Sequence, residues 1–128
     1  MKPHVIHESE VPEVALPGRH LRWVANAETL DPQYLSSCVI RVAPGEKVKP
    51  PHSHPNGEEL IYIVRGSGRV LVDGAVSPVR EGTLVLFRQG SVHMLQNTGE
   101  EEMKVLCCFA PPADLSSYKF FEGVDFPE

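Results

Sequence analysis

Short apolar runs separated by turn-forming residues set the pattern of the chain. Val, Ile, Leu, Phe and Tyr concentrate in His20–Ala25, Ser36–Ala43, Glu59–Arg65, Gly68–Asp73, Thr83–Phe87, Val92–Asn97 and Met103–Ala110. Runs of that length with Gly, Pro, Asn or Asp between them predict β-strands. A further strand is expected near His4–His7. In the Glu59–Arg65 run, Glu59, Ile61 and Ile63 share one face of a strand and Tyr62 takes the other, which points outward or into an interface. No long helical period is present. Asp114–Phe120 predicts a single helical turn with Asp114 as its cap. Asp73-Gly74 follows Val70-Leu71-Val72 and signals a hairpin. Asn97-Thr98-Gly99-Glu100 joins two apolar runs and predicts another reversal. The expected result is an all-β chain of antiparallel neighbours, closed into a sandwich or barrel because closure removes exposed strand edges.

Composition agrees with this and narrows the function. A chain of 128 residues with 41% hydrophobic and 23% charged residues suits a single domain over residues 1–128. The 17 acidic residues outnumber the 12 basic ones and leave a formal charge of −5. That balance argues against a nucleic-acid surface, which needs clustered Lys and Arg. Glu100, Glu101 and Glu102 read as a solvated turn. The apolar runs are too short to span a membrane, and Met1–Glu10 lacks the apolar stretch of a signal peptide. Three cysteines make no disulfide framework, so a reduced, cytoplasmic setting is expected.

The candidate chemistry lies in His52, His54, Glu59 and His93. His52 and His54 are two apart, which puts both imidazoles on one face of extended backbone, and Pro50 and Pro51 favour such backbone. Glu59 opens the next apolar run and His93 a later one. Three imidazoles and a carboxylate form a mixed N/O donor set for one divalent transition metal ion: Fe, Mn, Ni, Co, Cu or Zn. Taken singly, each residue has a bland reading as a surface or hydrogen-bonded side chain. Glu58 competes with Glu59, but strand parity turns Glu58 away from Ile61 and Ile63.

Order and spacing make the set specific. Gly45-EKVKPP-His52-Ser-His54-PNGE-Glu59-LIYIVR-Gly66 resembles the first motif of the cupin superfamily, G-x5-H-x-H-x3,4-E-x6-G. Gly82-TLVLF-Arg88-Gln-Gly90-SV-His93-MLQ-Asn97 resembles the second, G-x5-P-x-G-x2-H-x3-N. Motif 1 spans residues 45–66 and motif 2 spans 82–97. The chain departs from the pattern twice. Six residues instead of five separate Gly45 from His52, and Arg88 stands where proline is usual. The resemblance implies a double-stranded β-helix, or jelly-roll barrel, with the metal at its centre. It also implies homodimers, often made by exchanging N-terminal strands. Gly66, Gly82 and Gly90 are expected in turns that need positive φ. Asn97 reads as a turn-stabilising residue.

Arg88 is the candidate substrate contact, since a guanidinium holds a carboxylate through two parallel bonds. Tyr62, Gln96, Arg41 and Arg69 are open between barrel lining and outer surface. Cys38, Cys107 and Cys108 read as small core residues or neighbours of the metal, with adjacent Cys107 and Cys108 on opposite faces. His4, His7 and His20 have no ligand spacing. Phe120, Phe121 and Phe126 make the C-terminal tail apolar enough to pack on the barrel or on a partner. The resemblance implies a metal-dependent enzyme on a small organic, anionic substrate, of the dioxygenase, decarboxylase, isomerase or lyase kind. The alternative is a non-catalytic metal-containing binding or sensor module.

Overall fold

The computed structural model describes residues 2–127. Eleven strands form the frame: β1 (Val14–Leu16), β2 (Arg19–Ala25), β3 (Ser36–Val42), β4 (His52–Ser53), β5 (Glu58–Arg65), β6 (Ser67–Val72), β7 (Ala75–Arg80), β8 (Leu84–Phe87), β9 (His93–Asn97), β10 (Met103–Ala110) and β11 (Lys119–Phe120). One sheet has the order β1-β2-β3-β10-β5-β8 and the other β11-β4-β9-β6-β7. All pairings in both sheets are antiparallel. The chain is the expected double-layered jelly roll, and no helix among the described residues is long and apolar enough to cross a membrane.

Strand pairing differs from the expected succession of neighbours. Only β1–β2, β2–β3 and β6–β7 pair consecutively. Elsewhere the chain crosses from one sheet to the other, because each strand has one apolar face and two stacked layers bury those faces together. β7 was not anticipated: it carries Pro78, and proline is tolerated there because β7 is the edge of its sheet. The β6–β7 hairpin itself follows the Asp73-Gly74 signal, with φ of 47° at Asp73 and 87° at Gly74. Residues 4–7 form no strand. Instead His7 caps the 3-10 turn Glu8–Glu10, its Nδ1 accepting from the Ser9 backbone N–H at 3.1 Å. Asp114 caps a second 3-10 turn, Leu115–Ser117, at the place expected for a helical turn.

The core lies between the sheets. Ile61 and Ile63 of β5, Val42 of β3 and Val105 of β10 are almost wholly buried, while Leu60, Tyr62 and Val64 on the opposite face of β5 are exposed. Asn97 closes the end of this core away from the histidines. Its Nδ2 donates to the carbonyls of Val42 and Glu101, both at 2.8 Å, and its Oδ1 accepts from Gly99 N–H at 2.9 Å. It is a turn-holding residue, as its position suggested. Gly66, Gly82 and Gly90 adopt φ of 95°, 89° and 80°.

Outer polar residues sort cleanly. Arg41 lies outside the barrel, paired with Glu13 and Glu102 at 2.6 Å each. Arg69 and Gln96 bond each other at 2.8 Å on the outside of the second sheet. Of the tail phenylalanines, Phe126 packs as expected, buried with Leu71 and Met94 and with the Arg69 guanidinium 4.2 Å from its ring centroid, whereas Phe120 stays 49% exposed.

Gly18 forms the turn that starts β2. Its φ is 78°, and a Cβ there would lie 1.5 Å from the carbonyl oxygen of Lys47. Only glycine lets this turn lie directly on the segment leading to His52. Gly18→Ala should destabilise the protein by about 2 kcal/mol or more, combining left-handed strain with a backbone clash. Denaturant titration checks this; an unchanged midpoint would mean the close approach has no structural weight.

Candidate metal centre

The donor residues come from three strands and one loop end. His52 lies on β4 opposite His93 on β9, and His54 follows β4 directly. Glu59 enters from β5 in the facing sheet. All four residues are buried, and one donor atom from each lies within 4.8 Å of the others. Glu58 is exposed, so parity separates the two glutamates as expected.

Hydrogen bonds define what each donor presents. His52 Nδ1 lies 3.3 Å from the carbonyl oxygen of Pro50, and His93 Nδ1 lies 3.0 Å from that of Ser91. A carbonyl can only accept, so each Nδ1 carries the proton and each Nε2 of a neutral ring presents a lone pair inward. His93 Nε2 nevertheless lies 3.2 Å from Glu59 Oε1, and His54 Nε2 lies 2.8 Å from the same oxygen. The His54 Nδ1 is buried without a partner. The His93 lone pair against a carboxylate oxygen is repulsive unless both share a cation, and His54 Nε2 lies on the same oxygen where it can join them. The donor set therefore fits a divalent metal ion. Aromatic packing holds the rings. Phe87 stacks on His93 at 3.8 Å between centroids, with 3° between planes, and Tyr118 stacks on His52 at 4.7 Å with 9°.

Electrostatics favour the ligating forms. Burial holds His52 at about 3, below its ordinary 6.5, with the neighbouring His93 adding to the effect. Burial alone would raise Glu59, but the 2.8 Å contact from His54 Nε2 leads the interactions that hold the carboxyl below the usual range. Cys38 and Cys107 face each other across β3 and β10 and line the same cavity, whereas Cys108 faces away. Contact with Cys38 and burial push the Cys107 thiol up, so it stays protonated and does not compete as a thiolate.

The cavity beside the donors has a volume of about 30 Å³ and is lined by His52, Glu59 and His93, with His54 outside its lining. Its walls are mostly apolar, with Arg19 and Tyr118 as the other polar groups besides the two thiols. Arg88 does not line it: that side chain is exposed on the turn after β8. Sequence reasoning missed Arg19 because the predicted strand began one residue later. Extending β2 by that residue puts Arg19 on the inward face with Leu21. Tyr118 gave no periodic signal, since it follows a single 3-10 turn and reaches the histidines only through the return of the C-terminal segment.

Glu59→Gln and His54→Ala should each cut metal affinity at least about tenfold while the barrel stays folded, and Glu58→Gln should leave it unchanged. Elemental analysis after reconstitution reads this, and equal loss in Glu58→Gln would overturn the parity assignment. In the metal-free protein, acid should also destabilise the fold. The unfolded chain takes a proton on His52 near 6.5 while the folded chain resists until about 3, so stability falls across that window. Glu59 acts in the same direction, since its contribution is lost below the ordinary 4.5. Denaturant midpoints from pH 7 to pH 4 should decline steadily; a flat profile would contradict the burial of these groups.

The same architecture is found in known proteins. A family-wide sequence profile described as "Cupin domain" matches residues 38–109, more than half of the chain. "Polyketide synthase CurC" of Streptomyces cyaneus is 28% identical over 115 residues, covering 88% of this chain and 73% of that protein. Several other relatives it matches are spanned over only about half of their length. Among solved structures, a predicted oxalate decarboxylase from Thermotoga maritima superposes with a TM-score of 0.75 at 20% identity, covering 84% of this chain and 98% of that one. The polyketide cyclase RemF from Streptomyces resistomycificus gives 0.76 at 18% identity, covering 98% of this chain and 89% of that one. With both motifs, the two-sheet barrel and the buried donor set in place, the chain belongs to the cupin family.

Proposed function

We propose that this protein is a metal-dependent enzyme acting on a small organic, anionic substrate, with His52, His54, Glu59 and His93 as the ligands of one divalent transition metal. The observation that carries the reading is the convergence of His54 and His93 Nε2 on Glu59 Oε1, with the His93 Nδ1 held by the Ser91 carbonyl, beside a cavity with apolar walls. Four protein ligands leave further positions open on a five- or six-coordinate ion. Bound there, the metal supplies Lewis-acid polarisation of a substrate oxygen.

The chain's own residues do the rest. The apolar walls exclude water and strengthen each polar contact within. Phe87 and Tyr118 fix the histidine ring planes. Tyr118 keeps its proton, because burial pushes its phenol up, so it serves as a hydrogen-bond donor rather than a base. The superposed decarboxylase and cyclase structures, at or below 20% identity, share the fold, and that fold hosts several chemistries. A non-catalytic binding or sensor module is the second reading, favoured by the scarcity of acid–base groups in the cavity.

A homodimer is part of the proposal. Leu60, Tyr62, Val64, Leu84 and Leu86 are 39–60% exposed, and Leu60 pairs with Leu86 and Tyr62 with Leu84 across β5 and β8. That row forms an apolar face on the outside of the first sheet. This face lies on β5 and β8, at the edge of the sheet opposite β1, so association through it needs no exchange of N-terminal strands.

Protein reconstituted with each candidate metal should bind one ion per chain. A panel of small organic acids, followed by oxygen uptake and product detection, should then show metal-dependent turnover. Stoichiometric metal with no turnover across the panel would favour the binding module, and no metal uptake would sink both. Tyr62→Lys with Leu84→Lys should shift light-scattering mass from two chains to one; a wild-type mass of one chain would refute the dimer.

A further inference from the structure

We infer that Arg19 is the carboxylate anchor of the metal cavity, so that the protein selects organic acids whose carboxylate pairs with Arg19 while a second oxygen reaches the metal side. The inference rests on the metal-centre reading above and names the residue that decides its substrate class.

Arg19 is only 7% exposed, yet no carboxylate pairs with it among the described residues. Its Nη1 donates to the carbonyls of Pro17 at 3.1 Å and Lys49 at 3.4 Å. These bonds hold the guanidinium itself, through one terminal nitrogen, against the turn before β2 and the segment that delivers His52. No hydrogen bond joins Nε or Nη2 to a described residue, and the side chain lines the same cavity as His52, Glu59 and His93. The contrast with Arg41 is direct. On the outer face, Arg41 holds two carboxylates, Glu13 and Glu102. A buried guanidinium left without a counter-ion is costly unless something else supplies the negative charge.

Charge summation points the same way. The histidines are neutral as ligands and Glu59 contributes one negative charge. A divalent ion and Arg19 then leave about two positive charges in a small cavity. A carboxylate with a second anionic or polarisable oxygen neutralises that excess. The remaining walls, including Leu21, Ile40 and Phe109, suit a short apolar body between the two polar ends. A guanidinium recognises the planar carboxylate through two parallel bonds, which a Lys ammonium at the same place would not reproduce.

The test uses full-length protein loaded with Co(II), whose visible absorption reports changes at the metal. Malonate and oxalate are titrated against malonamide and oxamide, with metal content measured again after each titration. Wild type should respond to the acids and show at least tenfold weaker response to the amides. Arg19→Met should keep its Co(II) and weaken acid binding roughly 10- to 100-fold, the worth of one or two charge-assisted bonds. Arg19→Lys should fall between, and it preserves charge if the Met variant proves unstable by circular dichroism. Equal affinity for acids and amides in wild type would overturn the inference. So would unchanged acid binding in either variant, or a loss seen in Arg88→Met and not in Arg19→Met, while leaving the metal centre intact. Wild type that takes up no Co(II) would remove the metal centre and the inference with it.

Discussion

Two imidazole nitrogens aim at one buried carboxylate oxygen, an arrangement that fits a shared divalent cation. Glu59 and the histidines come from facing sheets, so the barrel must close for the donors to meet. Each Nδ1 proton of His52 and His93 is held by a backbone carbonyl two residues earlier in the chain, which sets the tautomer before any ligand arrives. The loop conformations before β4 and β9 therefore help set which nitrogen each imidazole turns to the cluster. The rigid core around Ile61, Ile63 and Val105 keeps the two sheets at the spacing that this convergence needs.

The same barrel divides its charges by location. On the outer face, Glu13, Arg22, Arg41 and Glu102 neutralise one another in a network open to solvent. Such pairs add little to stability individually. Inside, Arg19 and Glu59 stand in low-dielectric surroundings where an unmatched charge has large consequences. Cys107 adds no charge there, because it stays a neutral thiol beside Cys38.

The C-terminal segment does more than end the chain. Asp114 caps a short turn, Tyr118 then stacks on His52, β11 pairs with β4, and Phe126 anchors the tail against Leu71 and Met94. Phe126 finds its packing on the barrel surface, whereas Phe120 stays half exposed. The consequence for function is that a distant part of the sequence forms one wall of the cavity.

The amino-acid sequence by itself determined the all-β class, the strand β10 to the residue, which four residues gather in the buried cluster, and that Glu59 rather than Glu58 points inward. It could do so because strand parity and motif spacing are local properties, carried by a period of two along extended backbone. The non-sequential strand order, the edge strand β7, and the arrival of Arg19 and Tyr118 at the cavity were decided by tertiary structure alone. Each depends on which layers stack and where a returning segment lands, and no periodicity in the chain encodes that. Arg88 and Arg19 show the difference most clearly. A residue within a motif attracted the substrate role, whereas burial in the closed barrel left the other guanidinium facing the metal site without a counter-ion.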